Sequence, residues 1–252
     1  MPGAPDIRIA QDQDAWATEA ADLIHELGEQ AGRTHGRFLL ALSGGRTPER
    51  LYRTLASAPF AGRFDWSRTT FLFSDERCVP PDHPDSNFGL AREALFRPLG
   101  ISPDRIYRME GERTDPDRAA RDYENRLRSA CGTSPERLPR LDLVLLGLGR
   151  DGHTASLFPG NDAVRERDRA VTVGQAPSGP SARLTLTLGV INRASVVLFL
   201  VTGPDKARIV RTVLEPDTDA DRRLPAALVK PEEGRLIWLL DRPAAAELTR
   251  QL

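Results

Sequence analysis

LDLVLLGLGRDGHTASLFPG, residues 141–160, decides how this chain is read. LDLVLLG (141–147) is a continuous apolar run closed by a glycine. A strand buried on both faces belongs to a parallel sheet covered by helices, because crossover connections put the helices there. The glycines that follow, Gly147-x-Gly149-x-x-Gly152, have the spacing of a dinucleotide-binding loop. Such a loop should open a long helix and lead to a second strand ending in an acidic residue about 20 positions on. Here Pro159-Gly160 stop any helix after two turns at most, Glu166 and Asp168 precede the next strand, and Asp151 would face the pyrophosphate. The cofactor reading fails. What remains is Asp151 and His153 on either side of one glycine, at a strand's carboxyl end, where open α/β sheets bind their ligands. Imidazole exchanges protons near neutrality, and a neighbouring carboxylate can orient it. The competing reading is a structural loop histidine.

The same grammar extends outward. RFLLALS (37–43), TTFLFS (69–74), SVVLFLV (195–201) and RLIWLL (235–240) read as buried strands, and RLTLTL (183–188) as another. Trp16, Ala20, Leu23, Ile24, Leu27 and Ala31 follow helical spacing, as do Ala119, Tyr123, Leu127 and Cys131. Thr47-Pro48 supplies a hydroxyl N-cap and a proline for the first helical position. SNFGLAREALFRPL (86–99) and ARIVRTVL (207–214) are further helices, and one more is expected after the last strand. Residues 75–86, 174–182 and 216–231 are loops. The expectation is one α/β domain over residues 1–252: a mostly parallel sheet with helices on both faces.

Bulk properties exclude several classes. The 35 basic and 36 acidic residues cancel to a net charge of −1, so no global field recruits nucleic acid. No apolar run approaches the roughly 20 residues that span a bilayer, and MPGAPDIRIAQDQD lacks the regions of a secretory signal. Cys78 and Cys131 form no disulfide framework, which favours a cytoplasmic setting. His25, His35, His83 and His153 are scattered without metal-ligand spacing, so no metal is expected.

Two more loops leave strand ends. SGGRTP (43–48) is either a phosphate cradle, built on Gly44 and Gly45 with Ser43 and Thr47 hydroxyls, or a tight strand-to-helix turn. It is no Walker loop, and Ala41 in place of a glycine rules out a nucleophile elbow at Ser43. SDERCVPPDHPDSN (74–87) sets Asp75, Glu76 and Arg77 after a strand. They could do acid–base work or grip a polar ligand; alternatively they form local ion pairs in a solvated loop, with His83 exposed.

Taken together, LALSGGRTP, FLFSDERCVPPDHPDSN, LVLLGLGRDGHTASLFPG, RLTLT and TGPDK resemble, in this order and spacing, the 6-phosphogluconolactonases. The resemblance covers nearly the whole chain. It implies a modified Rossmann-like fold, as in glucosamine-6-phosphate deaminase, and hydrolysis of a phosphosugar lactone without metal or organic cofactor. It also implies a general base at His153 beside Asp151, and basic residues Arg77 and Lys206 toward the phosphosugar. Gly44, Gly45 and Thr47 match the phosphate-side loop, and Arg183 is a further basic candidate. The expected partner is the small-molecule phosphosugar lactone alone, bound by a monomer or small homo-oligomer. The related deaminases resemble DGHIAFNEP at the histidine loop, with a glutamate where this chain has Phe158, and an apolar ring cannot transfer protons. A phosphosugar-sensing regulator on the same fold would need an added DNA-binding segment, and the N-terminal stretch is too short and acidic for one.

Overall fold

A computed structural model of the chain describes residues 3–134 and 136–249. The elements run β1 (Asp6–Ala10), α1 (Gln13–His35), β2 (Phe38–Leu42), α2 (Arg46–Leu55), β3 (Thr69–Phe73), β4 (Asp75–Arg77), α3 (Asn87–Ala91), α4 (Arg97–Leu99), α5 (Pro116–Cys131) and β5 (Leu143–Leu146). They continue with β6 (Val171–Gln175), β7 (Ala182–Leu186), α6 (Leu188–Arg193), β8 (Val196–Val201), α7 (Ala207–Leu214), α8 (Asp219–Arg222) and β9 (Arg235–Asp241). Six strands pair in parallel in the order β1-β9-β8-β5-β2-β3. Every residue of β2, β5 and β8 is buried, as unbroken apolar runs require of central strands. Each large aliphatic or aromatic side chain removed from water there contributes about 1.5–3 kcal/mol.

The helices cover this sheet by amphipathic faces with caps. Asp12 caps α1 by accepting from Asp14 N and Ala15 N, and Gly36 ends it at φ 77°. The face carrying Trp16, Ala20, Leu23 and Ile24 is buried, and Trp16 Nε1 donates to Leu239 O at 3.0 Å, which fixes α1 on β9.

The structure corrects several expectations. RLTLTL forms β7, but β7 pairs antiparallel with β4 and β6 in a separate three-stranded sheet. SDER, expected as loop, supplies β4. Neither β4 nor β6 carries a long apolar run, and β1 alternates at a half-exposed edge, so none of the three stands out in the sequence. Ser74 is the corner between the sheets: its N–H donates to Leu42 O in the parallel sheet, and its carbonyl accepts from Leu186 N of β7, both at 2.8 Å. Residues 86–99 are not one regular helix. Pro98 has no N–H to return to the preceding turn, and residues Arg92–Phe96 between α3 and α4 widen to a π-helical turn in which Arg97 N bonds Arg92 O. No helix follows Gly152; residues 150–158 are turns and an isolated bridge. Beyond β9, residues 242–247 form successive turns instead of a helix, and Arg250–Leu252 of the expected helix lie outside the described residues.

Candidate active site

The carboxyl ends of β2, β5 and β8, with β4 and β7 of the second sheet, surround a cavity of about 500 Å³. The three loops that the sequence singles out build much of its wall, joined by residues 176–178, Arg183 and Lys206. The glycine loop supplies the first. Gly149 N donates to His153 O (2.8 Å) and Gly152, at φ 81°, closes the turn by donating to Gly149 O (3.0 Å). The turn folds Asp151 back on His153, so that Oδ1 accepts from ring Nδ1 at 2.5 Å and from the main-chain N at 3.2 Å. Phe158 packs against the other side of the imidazole, ring centroids 4.4 Å apart. With Nδ1–H given to Asp151, Nε2 is the ring nitrogen left for a substrate proton, and it bonds nothing among the described residues.

The SDER block divides its two carboxylates between different tasks. Asp75 faces the cavity wall, accepting from Ser156 Oγ at 2.6 Å and Asn87 Nδ2 at 3.2 Å. Glu76 turns the other way. Its carboxylate accepts from Arg77 N and Asn87 N (both 2.7 Å), Phe88 N (2.8 Å) and Ser86 Oγ (3.1 Å), tying β4 to the start of α3. Burial pushes its carboxyl above the usual range, and the three main-chain amides pull the other way. The two carboxylates therefore do not work as an acid–base pair: Glu76 is a structural clamp. His83 is exposed on this loop, as expected, accepting from Asp85 N.

Four cations line the cavity, and of these Arg150 is paired with Asp205 at 3.4 Å. Arg77 and Arg183 face one another across the β4–β7 ladder, and both line the cavity. Burial, and then the Arg77 charge, hold the Arg183 guanidinium below its ordinary pKa. Neither makes an ion pair among the described residues; Arg77 donates to Asp85 O and Arg183 Nε to Pro180 O. An arriving anion would relieve this repulsion. Lys206 ends a 3₁₀ turn, Pro204–Lys206, entered through Gly203 at φ 99°. Gly203 N is held at 3.0 Å by Asp241, fully buried at the end of β9. Lys206 Nζ donates to Leu148 O at 2.7 Å, and burial lowers its pKa.

The SGGRTP loop behaves partly as expected. Tyr52 clamps Ser43 at both ends, its hydroxyl accepting from Ser43 N (3.0 Å) and donating to Ser43 O (2.6 Å). A Cβ at Gly44 would lie 1.8 Å from Asn87 Oδ1, so only glycine lets the loop pass there. The N-cap, however, is Gly45 at φ 105°, and α2 begins at Arg46; the Thr47 hydroxyl pairs with Thr202 Oγ1 at 2.9 Å instead of capping. Gly45 and Thr47 line an adjoining cavity of about 560 Å³ that shares Gly44, Gly147, Leu148, Arg150 and Lys206 with the first. The remaining singled-out residues, Ser43, Gly44, Asp75, Arg77, Asp151, His153, Arg183 and Lys206, share the main cavity. Sequence reasoning missed Asn87 and Ser156, the two side chains that hold Asp75; both lie inside the quoted blocks but look like ordinary polar loop residues. Among the described residues no group of three His, Cys, Asp or Glu is placed to hold a metal ion, and no helix is long and apolar enough to cross a membrane.

A family model described as glucosamine-6-phosphate isomerases/6-phosphogluconolactonase matches residues 11–238, and the chain belongs to that enzyme family. Within it the chain falls with the lactonases. The curated 6-phosphogluconolactonase of Nostoc sp. is 40% identical over 243 residues, 96% of this chain and 98% of the relative. The solved 6-phosphogluconolactonase from Trypanosoma cruzi superposes with a TM-score of 0.85 at 32% identity, covering 99% of both chains. A monomeric glucosamine-6-phosphate deaminase, 24% identical over 96% of this chain and 99% of its own, has the same fold with a TM-score of 0.80.

Proposed function

We propose that this chain hydrolyses 6-phospho-D-glucono-1,5-lactone to 6-phospho-D-gluconate, the lactone-opening step of the oxidative pentose phosphate pathway, with His153 as general base. The observation that carries this reading is the Asp151–His153 pair at 2.5 Å in a polar cavity that also holds Arg77, Arg183 and Lys206. Asp151 keeps the proton on Nδ1 and offsets the charge that the ring acquires. Nε2 takes a proton from water while the water oxygen attacks the lactone carbonyl. The tetrahedral intermediate then collapses by breaking the bond to the ring oxygen, and the imidazolium returns its proton to that oxygen. A positioned base supplies about 10²–10⁴ in rate, and a main-chain N–H donated to the oxyanion would add to it. A δ-lactone is a reactive ester, so neither a nucleophile nor a metal is required.

The phosphate is assigned to the side where the two cavities meet, at Lys206 and the first turn of α2. Gly44 N and Gly45 N bond nothing there among the described residues, and helix N-termini favour anions. Arg77 and Arg183 flank the sugar from β4 and β7. A deaminase reading lacks support at Phe158, which packs on His153 as an apolar wall where proton transfer to an amino sugar would need a titratable group. The test is direct: mix the pure protein with freshly made phosphogluconolactone and, separately, with glucosamine 6-phosphate. Acid release from the first and no ammonia from the second is expected. Ammonia release, or lactone hydrolysis no faster than in buffer, overturns the proposal.

A further inference from the structure

A separate, apolar cavity of about 560 Å³ lies between β9 and the chain connecting α7 to it. Val213 and Leu214 of α7, Ala226 and Ala227 of the 3₁₀ turn Pro225–Leu228, and Leu236 and Trp238 of β9 form its walls. It shares no lining residue with the catalytic cavity. Small-molecule sites are of this size and make-up, mostly apolar walls with a few polar groups. Trp238 is 1% exposed, its ring stacked at 4.0 Å on Phe199, and its indole N–H has no hydrogen-bond partner among the described residues.

The mouth of this cavity is positive. Arg222, Lys230 and Arg235 line it, against one acid among the described residues, Asp6. Asp6 is already shared by Arg8 at 3.0 Å and Arg235 at 3.6 Å, and Arg222 reaches Asp219 at 3.4 Å. Lys230 makes no ion pair among the described residues. Charge complementarity therefore selects an anionic head group and the walls select an apolar body.

The cavity also abuts the catalytic turn. Ala226, on its wall, donates N–H to Gly152 O at 3.0 Å. Leu224, just before the same 3₁₀ turn, presses on Gly152 so closely that a Cβ there would meet its side chain at 3.0 Å. Gly152 is the residue between Asp151 and His153, so displacement of the Pro225–Leu228 turn reaches the catalytic pair through one hydrogen bond.

We propose that this cavity is a second binding site, for a small aromatic or medium-chain aliphatic carboxylate, and that its occupant modulates the reaction through the Ala226–Gly152 contact. The modulation rests on the lactonase proposal; the binding does not. The test is a calorimetric titration of the full chain with 2-naphthoate, and with octanoate as the aliphatic arm, alongside lactone hydrolysis. Saturable one-to-one binding of at least one probe is expected, not displaced by 6-phosphogluconate. Ala227→Phe should fill the cavity and abolish binding. Lys230→Glu, an exposed change that does not threaten the fold, should weaken binding about two- to fivefold, the scale of an exposed ion pair. Lys230→Glu, outside the Pro225–Leu228 turn, should not alter hydrolysis without probe. Saturating probe should change kcat or KM at least twofold in the wild type and not in Ala227→Phe.

No saturable binding, displacement by 6-phosphogluconate, or affinity unchanged in both variants overturns the site. Binding that disappears as sedimentation shows a dimer forming makes a second copy the occupant and overturns it too. Binding with no change in kcat or KM overturns the modulation. A probe that binds as described to a chain that opens no lactone would sink the lactonase proposal and leave the site standing.

Discussion

Gly149 lies directly against His153: a Cβ at position 149 would be 2.0 Å from His153 Nδ1 and 2.5 Å from Asp151 Oδ1. The glycine that imitates a dinucleotide fingerprint is thus there to make room for a hydrogen-bonded pair. Gly149→Ala must push the imidazole or the carboxylate aside, and both are side-chain ends that can yield. The expected result is a kcat reduced about 100-fold, the scale of a misplaced reacting group, with a melting temperature close to wild type. Unchanged kcat would mean that the 2.5 Å geometry is not needed.

Glu76 makes a contrasting prediction, about stability. Glu76→Ala leaves the buried Asn87 amide, the half-buried amides of Arg77 and Phe88, and the buried Ser86 hydroxyl without their acceptor. Each unsatisfied buried donor costs about 1–3 kcal/mol, so a loss of at least about 3 kcal/mol is expected in urea unfolding. A melt within error of wild type would show that water replaces the carboxylate freely.

Lys206 should give a pH dependence of ligand binding. Burial holds its pKa below the ordinary 10.5. Between the folded value and 10.5 the unfolded chain binds the extra proton, so Lys206 disfavours the fold at lower pH, and stability rises with pH across that window. The proposed phosphate binding at Lys206 has the opposite sign, because it needs the ammonium. Affinity for 6-phosphogluconate should therefore fall as pH rises toward 10.5, and Lys206→Arg should remove that fall. Lys206→Ala should raise KM for the phosphorylated lactone about 10- to 150-fold, the loss of one charged hydrogen bond, with far less effect on unphosphorylated gluconolactone. Equal effects on both substrates would move the phosphate elsewhere.

What was legible in the sequence followed physical contrast. β2, β3, β5, β8 and β9 are apolar runs between turn residues, and burial on both faces makes such runs unmistakable. β4 and β6 gain their strand character from pairing with β7 across more than a hundred residues in one case, a long-range effect that local patterning does not encode. The site was legible where loop chemistry is unusual: Asp151-Gly152-His153 and Gly44-Gly45. It was illegible where ordinary residues hold the unusual ones. Nothing in Asn87 or Ser156 announces a bond to Asp75, and Glu76 reads like Asp75's partner until the fold turns it toward α3. Thr47 looks like a cap because Thr-Pro commonly is one, yet Gly45 reaches the capping position first and Thr202 takes the hydroxyl.

The decisive prediction concerns His153. As the proposed general base it must take water's proton on Nε2, so a side chain without that nitrogen cannot replace it. His153→Ala should lower kcat about 10²–10⁴, or about 3–5 kcal/mol of barrier. The fold should survive, because His153 is a partly exposed loop residue whose side chain is 32% accessible. Binding of 6-phosphogluconate should survive as well, since the cations assigned to the phosphosugar lie on β4, β7 and the Gly203–Lys206 turn. Asp151→Asn should also lose activity with the fold intact. An amide at 2.5 Å from Nδ1 can no longer offset the charge on the protonated ring, and it no longer fixes which nitrogen carries the proton. The measurement is kcat for both variants beside a thermal melt and a product titration. A folded His153→Ala protein that binds product and turns over at the wild-type rate removes His153 as the base. Asp75, the other carboxylate on the cavity wall, would then be the group to replace.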